Sequence, residues 1–348
     1  MKHPAIASHA EIENITFITE KRKFRYKSRI VTALQIGAFL LFAVSIVNIA
    51  YDMLMSSEKF DLRYSIMRTF PHKTYSRVQG YLCKIPFPWP LNLCFVGAAK
   101  NLLGIDLKDA KKKRLSDYRS IGELFTRELD KGARPIGPGL TSPVDGTIVY
   151  AGSAVEGVSC PIKGINYNIE ELLLDKGVLG RVGPENTLQQ MVIYLSPKDY
   201  HRFHNYTDFV LEKVLHVPSF LFSVGRLPME FFPGLLSKNE RIVFEGKCRH
   251  GACYMVAVGS VGVGSIHAEA VKISTNQLPG LYTAPSVMFS GKVQYKKGSE
   301  LGHFSLGSTV VLVFEAPRAF AWDRTEGGVR MGETIGHWKS PSSTKGAK

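Results

Sequence analysis

The longest apolar segment of the chain is an uncharged run at residues 30–51. As a helix these 22 residues would measure roughly 33 Å, enough to span a hydrocarbon core of about 30 Å. The run therefore predicts one transmembrane helix, with a buried helix of a soluble domain as the alternative. By the positive-inside rule, the basic tail at 1–29 and the remainder of the chain should lie on opposite sides of the membrane. The cations before the run are Lys21, Arg22, Lys23, Arg25, Lys27 and Arg29.

Residues 52–139 have the pattern of short helices. Apolar, aromatic and basic residues are mixed here, and the proline-rich stretch 86–90 interrupts them. Such helices either lie at a membrane surface, with basic residues toward the lipid headgroups, or pack as ordinary helices. Residues 107–129 predict two short helices, with Ser120 or Ser116 as N-cap. We expect a helical, membrane-proximal collar over 52–139.

From residue 140 onward the pattern changes to that of a β-rich domain. One short helix is predicted at 169–174. The expected fold class is α+β: a β-rich catalytic domain over 140–348, preceded by the helical collar and one transmembrane helix. The apolar or β-branched runs lie at 147–150, 191–195, 209–217, 252–258, 287–295 and 310–314, with Gly- and Pro-containing turns between them.

Composition and charge narrow the function classes. The chain has 348 residues, 45% of them hydrophobic, which is enough for a sizeable core. Much of the net charge of +14 is concentrated in the tail and at 111–114, so no nucleic acid partner is expected. A secretory signal would lie earlier and be shorter, and acidic residues interrupt a transit-peptide pattern.

Several motifs of other chemistries are missing from the sequence. The five cysteines have no zinc-type spacing and no His-Glu-x-x-His occurs, so no metal is expected. The odd cysteine number argues against a fully paired disulfide framework. Phosphate-loop and dinucleotide motifs are absent, and without Gly-x-Ser-x-Gly a lipase or esterase is disfavoured.

The most informative stretch is Leu306-Gly307-Ser308-Thr309, directly before the apolar run 310–314. A serine hydroxyl can attack the carbonyl of the preceding residue, and glycine there offers least obstruction. The resulting ester can eliminate to dehydroalanine, which hydrolyses to a pyruvoyl group. The alternative is a turn that enters a buried strand.

Three further side chains belong to the same chemistry. Asp145 lies in a Ser-Pro-Val-Asp-Gly turn, and His201 and His204 stand three residues apart. An Asp that accepts the Nδ1 proton of a His leaves Nε2 free to take the proton of Ser308. Each has a simpler explanation on its own, since Asp-Gly is a common turn and paired His can bind metal or lie on a surface.

Taken together, these segments resemble the phosphatidylserine decarboxylases, in particular the membrane-anchored mitochondrial type. The resemblance covers roughly residue 63 to the C-terminus. The matching segments are Leu-Ser-Asp-Tyr-Arg-Ser at 115–120, Phe-Thr-Arg-Glu-Leu at 125–129, Gly-Ala-Arg-Pro-Ile at 132–136, 142–146, Lys-Gly-Ile-Asn-Tyr at 163–167, Asp-Tyr-His-Arg-Phe-His at 199–204, Asn-Glu-Arg at 239–241, Val-Gly-Ser-Ile at 263–266, and 297–298 through 302–309.

The resemblance implies a zymogen that cuts itself between Gly307 and Ser308. Ser308 becomes the pyruvoyl cofactor, Asp145 and His204 complete the processing triad, and His201 acts near the substrate. The large chain 1–307 and small chain 308–348 stay associated. The implied reaction converts phosphatidylserine in a membrane to phosphatidylethanolamine and CO2, with no metal and no pyridoxal phosphate.

The same resemblance implies a single-pass protein of the mitochondrial inner membrane. Its N-terminus would lie in the matrix and its catalytic domain in the intermembrane space, with the endoplasmic reticulum membrane as the alternative. A homo-oligomer is left open. Two other functions also remain: a Ser-His-Asp lipid hydrolase whose chain stays intact, and a non-catalytic membrane lipid-binding protein.

Overall fold

The computed structural model describes residues 62–154, 167–232, 234–262, 264–276, 284–305 and 307–338. The predicted basic tail and transmembrane helix at 30–51 lie outside these ranges, as does Leu306. Among the described helices none is long and apolar enough to cross a membrane. The chain divides into two units, 1–70 and 71–348. Of the first unit, the structure describes helix α1, Leu62–Thr69.

The second unit begins with the helices predicted for the collar. They are α2 (His72–Lys84), α3 (Leu91–Leu103) and α4 (Ile121–Phe125). Ser120 caps α4, since its hydroxyl accepts a hydrogen bond from the Glu123 amide at 3.1 Å. Leu115–Asp117 forms only a 3₁₀ turn, where a second short helix was expected. A small core that includes Val96, Ile105 and Phe125 holds the collar together.

A β-rich body follows the collar, as predicted. An eight-stranded antiparallel sheet has the order β10-β5-β6-β7-β12-β3-β2-β14. The bounds of these strands are Gly146–Ser153 (β2), Asn186–Leu195 (β3), Phe209–Val217 (β5), Arg241–Cys248 (β6), Gly251–Gly259 (β7), Ser286–Tyr295 (β10), Ser308–Pro317 (β12) and Gly327–Val329 (β14).

Two smaller sheets and three short helices complete the body. One sheet has the order β1-β15-β13 and the other β4-β11-β8-β9. The bounds are Leu140–Thr141 (β1), Arg202–His204 (β4), Ile266–Ala268 (β8), Ile273–Ser274 (β9), Glu300–Phe304 (β11), Phe320–Trp322 (β13), Thr334–Trp338 (β15), Ile169–Leu173 (α5), Arg226–Phe231 (α6) and Leu235–Lys238 (α7).

Strand β12 is the most deeply embedded element of the sheet. It pairs with β3 from Ser308 opposite Leu195 to Pro317 opposite Asn186, and with β7 from Ser308 opposite Gly259. Residues 308–316 of this strand are buried, and Pro317 at its end is partly exposed. The apolar run 310–314 is therefore a central strand, because apolar side chains on both faces need cover on both sides.

Candidate active site

Four strand ends meet where β12 begins. Ser308 faces Leu195, the last residue of β3, on one side and Gly259, the last residue of β7, on the other. The start of β2 lies on the far side of β3, where a Cβ on Gly146 would stand 2.5 Å from the Tyr194 carbonyl oxygen. Only glycine fits at that distance. Asp145, the loop after β3 and Ser308 thus share one end of the sheet.

Gly307 and Ser308 have the local geometry that self-cleavage needs. Gly307 has φ of +44°, in the left-handed region where a side chain is strained. The side chain of Ser308 is 0% exposed, and its Oγ has no hydrogen-bond partner among the described residues. The Ser308 hydroxyl is therefore shielded from water and makes no hydrogen bond to a described residue. The positive φ therefore favours glycine at 307.

Asp145 is held by an arginine that the sequence did not predict as its partner. Arg134 donates to it through Nε at 3.0 Å and Nη2 at 2.6 Å, and the Met331 amide adds a bond of 2.8 Å. Nη1 of Arg134 also pairs with Asp109 at 2.8 Å. Burial would lower the pKa of Arg134, but its hydrogen bonds to Asp145 and Asp109 raise that pKa above the usual value. The Arg134 guanidinium is therefore charged.

His204 has both ring nitrogens engaged. Nδ1 lies 3.0 Å from the Gly298 carbonyl oxygen, and Nε2 lies 3.1 Å from the hydroxyl of Tyr200. A carbonyl can only accept, so Nδ1 carries the proton and Nε2 accepts from the tyrosine. Burial lowers the pKa of His204, which favours this neutral form.

His201 has the same tautomer but a free lone pair. Its Nδ1 donates to the Asp199 carbonyl at 2.9 Å, whereas its buried Nε2 has no partner among the described residues. The ring of Phe125 covers it, with centroids 4.0 Å apart. Burial lowers the pKa of His201 to about 3, so the imidazole is neutral near pH 7 and Nε2 is a proton acceptor.

The direct Asp145–His204 hydrogen bond expected from the sequence is not present. The Nδ1 proton of His204 is already bound to the Gly298 carbonyl, and Arg134 occupies the carboxylate. The two residues are nevertheless neighbours, because the His204 amide donates to the Pro143 carbonyl at 2.9 Å within the turn that carries Asp145. The predicted residues therefore lie in one region, but no hydrogen bonds link Asp145, His204 and Ser308 into a triad.

A second histidine cluster contacts the chain just before Gly307 and Ser308. Nε2 of His267 is 2.8 Å from the hydroxyl of Ser305, and the His267 and His303 rings stack with centroids 4.5 Å apart. Burial lowers the pKa of each imidazole to about 4. His303 and Ser305 lie in the family-matching segment 302–309, but the sequence assigned them no role and did not indicate His267 as their neighbour. The contact fixes the chain three residues before Ser308. Within the described ranges, no three His, Cys, Asp or Glu side chains are grouped so as to hold a metal.

Comparison with known proteins decides the family. A model of the family described as phosphatidylserine decarboxylase matches residues 121–337, more than half of the chain. This chain belongs to the phosphatidylserine decarboxylase family. A phosphatidylserine decarboxylase proenzyme of Anaeromyxobacter sp. (strain K) is 37% identical over 281 residues, which is 78% of this chain and 96% of that protein. The name proenzyme fits a chain that must be cut before it acts.

Two further phosphatidylserine decarboxylase proenzymes are similar to the chain. Those of Yersinia pestis (strain Pestoides F) and Yersinia pseudotuberculosis serotype O:1b (strain IP 31758) are each 32% identical over 290 residues. The match covers 81% of this chain and 97% of each relative. The family named from the sequence segments is thus confirmed. The comparisons do not distinguish the mitochondrial type within it.

Proposed function

We propose that this phosphatidylserine decarboxylase cuts itself between Gly307 and Ser308 and then converts phosphatidylserine to phosphatidylethanolamine and CO2. The observation that carries the proposal is the buried, unpartnered Oγ of Ser308 behind a glycine with positive φ. The pyruvoyl group left at residue 308 supplies an electrophilic ketone that accepts the electrons released when the carboxylate leaves. That group would lie at the buried start of β12.

Self-cleavage begins with attack of the Ser308 Oγ on the carbonyl carbon of Gly307. The amide nitrogen takes up a proton and the peptide bond becomes an ester. Loss of the Ser308 α-proton then expels the Gly307 carboxylate, which leaves dehydroalanine at 308. Addition of water and release of ammonia give the pyruvoyl group. The chain's own basic groups must accept the hydroxyl proton and the α-proton, and the imidazoles are neutral and suited to this.

The roles of the two histidines follow the sequence-based hypothesis. His204, close to the Asp145 turn, serves self-cleavage. Its Nε2 accepts a hydrogen bond from the Tyr200 hydroxyl at 3.1 Å, so protons can move between the two groups. His201, with Nε2 unpartnered in a dry site, handles a proton during decarboxylation. Gel mobility reports self-cleavage and CO2 release reports decarboxylation, so the two measurements together test these separate roles. His204→Ala should leave one chain, and His201→Ala should give two chains that release little CO2; the reverse pattern would overturn it.

The two product chains should remain together. The small chain, 308–348, would contribute β12 from the middle of the eight-stranded sheet, where it bonds to β3 and β7 on either side. Its removal would split the sheet into two parts and expose the apolar faces of β12. Association therefore needs no covalent link, and burial of this strand supplies the driving force.

The collar would hold the site at a bilayer. Its outward surface carries large apolar side chains, including Tyr81 at 73% and Leu102 at 87% exposure. Exposed apolar groups of this size are typical of membrane contact. Residues 30–51 would add a transmembrane anchor, and we propose the mitochondrial inner membrane, with residues 1–29 in the matrix. Protease access to the tail and the catalytic domain from the same side would contradict that orientation.

A carbonyl reagent separates this function from the two alternatives. Purified protein should release CO2 from phosphatidylserine in mixed micelles, and hydroxylamine should abolish the release because it traps the ketone. A lipid hydrolase would instead release fatty acid or headgroup and resist hydroxylamine. A non-catalytic lipid-binding protein would bind phosphatidylserine and leave it unchanged.

A further inference from the structure

Arg127 is a buried cation with unused hydrogen-bond donors. It follows α4 and is 7% exposed. Its Nη2 donates to the carbonyls of Lys198 and Asp199, at 2.9 Å and 3.2 Å. Its Nε and Nη1 are buried and have no partner among the described residues. A guanidinium taken out of water normally has its donors satisfied, so two orphaned nitrogens mark a place for an acceptor.

Arg134 and Arg241, whose side chains are also largely buried, have hydrogen-bond partners for all their guanidinium nitrogens. Arg134 binds the carboxylates of Asp145 and Asp109. Arg241 donates from all three nitrogens to backbone carbonyls, at 2.6 to 3.1 Å. Both therefore have a complete structural role. Arg127 differs because no carboxylate pairs with it among the described residues and only one of its nitrogens is used.

Arg127 lines a cleft and shares a backbone contact with His201. The cleft, of about 400 Å³ and here called the basic cleft, has a wall that carries six cationic residues, including Arg134, Lys198 and Arg330, beside five acidic ones, Asp106, Asp109, Asp145, Asp199 and Glu333. The Asp199 carbonyl that it contacts also accepts the Nδ1 proton of His201. The guanidinium and the imidazole therefore flank one carbonyl oxygen. An anion bound to a free donor of this guanidinium would therefore lie near the histidine that we propose for decarboxylation.

We propose that Arg127 binds an anionic oxygen of the phosphatidylserine headgroup through one of its two unpartnered donors, Nε or Nη1, which point to different edges of the guanidinium. The headgroup offers a carboxylate and a phosphodiester, and an oxygen of either accepts a charge-assisted hydrogen bond from a guanidinium N–H. Arg127 thus positions the substrate next to His201. The inference rests on the proposed function, since the anion is that of its substrate.

The test uses binding, so that it does not depend on self-cleavage. In the uncleaved Ser308→Ala chain, binding of dihexanoyl phosphatidylserine below its micelle concentration is measured with and without Arg127→Met. Loss of a bond to a charged donor should weaken binding about tenfold or more. Arg318→Met is the matched control, because Nη2 of Arg318 donates to the Pro184 carbonyl outside the basic cleft. Its binding should equal that of the parent.

Dihexanoyl phosphatidylethanolamine, which keeps the phosphodiester and lacks the carboxylate, identifies the bound group. Equal weakening for both lipids assigns the phosphodiester, and weakening for phosphatidylserine alone assigns the carboxylate. Phosphatidylserine binding by Arg127→Met within twofold of the parent overturns the inference. If that variant does not fold, Arg127→Lys replaces it, with an intermediate loss expected and parental affinity overturning the inference. Wild-type protein that releases no CO2 would instead contradict the proposed function.

Discussion

The hydroxyl of Tyr200 lies 3.1 Å from Nε2 of His204 and donates to it. Because Nδ1 of the same ring is bound to the Gly298 carbonyl, Tyr200 is the only described group at the nitrogen that a triad would direct toward Ser308. Under the processing role that we propose for His204, proton transfer at Nε2 must pass through this hydroxyl or displace it. We therefore propose Tyr200, which sequence reasoning did not single out, as a positioning residue for self-cleavage.

Tyr200→Phe should slow self-cleavage without abolishing it. The ring keeps its packing while the donor to His204 is lost, and one such bond corresponds to about a fivefold effect. The rate is measured as appearance of the small chain during cell-free synthesis. His204→Ala is the comparison and should give no cleavage. Cleavage of Tyr200→Phe at the wild-type rate would show that the hydroxyl has no part in processing.

Arg134→Met should destabilise the protein and impair processing. It leaves the buried Asp145 carboxylate with the Met331 amide alone, and removal of one partner of a buried ion pair costs about 3–5 kcal/mol. Denaturant unfolding of the Ser308→Ala chain measures the loss. The matched control is Lys111→Met, whose exposed pair with Glu128 is worth at most about 1 kcal/mol. Equal effects of the two substitutions would contradict the role assigned to Arg134.

The free energy of unfolding should depend on pH through His201. The folded imidazole stays neutral down to a pKa of about 3, whereas in the unfolded chain it takes up a proton near its usual value of 6.5. The unfolded state binds more protons between these values, so stability falls as pH drops below 6.5, by up to about 1.4 kcal/mol per pH unit.

His201→Asn isolates that contribution. The asparagine amide can donate to the Asp199 carbonyl as Nδ1 does, but it does not titrate. In the Ser308→Ala background, the stability difference between parent and His201→Asn should change steadily from pH 6.5 to pH 4.5, to the parent's disadvantage. A difference that stays constant over this range would show that His201 is not buried in its neutral form.

The collar surface should matter for membrane substrate alone. Tyr81→Ser with Leu102→Ser removes two exposed apolar side chains, so KM for phosphatidylserine in vesicles should rise severalfold. Turnover of soluble dihexanoyl phosphatidylserine should not change. Val287→Ser, at 56% exposure on β10, is the control and should behave as wild type with both substrates. An equal loss on soluble substrate would mean that the collar change damages the site itself.

The apolar runs predicted the central strands well, because buried strands carry their own signal. The run 209–217 coincides with β5, and 310–314 lies inside β12. Strand β6, Arg241–Cys248, was missed because charged residues interrupt its apolar pattern. The structure shows that Arg241 is nonetheless buried, since backbone carbonyls satisfy its guanidinium.

The residue types of the site were predictable, but their partners were not. Gly307 before Ser308 indicates the proposed cleavage site by its chemistry. That Arg134 rather than a histidine would hold Asp145 depends on how the chain folds back after the collar. Which ring nitrogen of His201 or His204 carries a proton depends on carbonyls contributed by Asp199 and Gly298. The local sequence does not indicate such long-range contacts. The tautomers of His201 and His204 could therefore be assigned only from the structure.

The central claim is that Ser308 does not remain a serine in the mature enzyme. Intact mass of purified wild-type protein, measured beside Ser308→Ala, tests it most directly. The account predicts a fragment that ends at Gly307 and one that begins with a pyruvoyl group at 308, while Ser308→Ala stays a single chain without activity. A single active wild-type chain with an unmodified serine, or a cleaved and active Ser308→Ala protein, would contradict it.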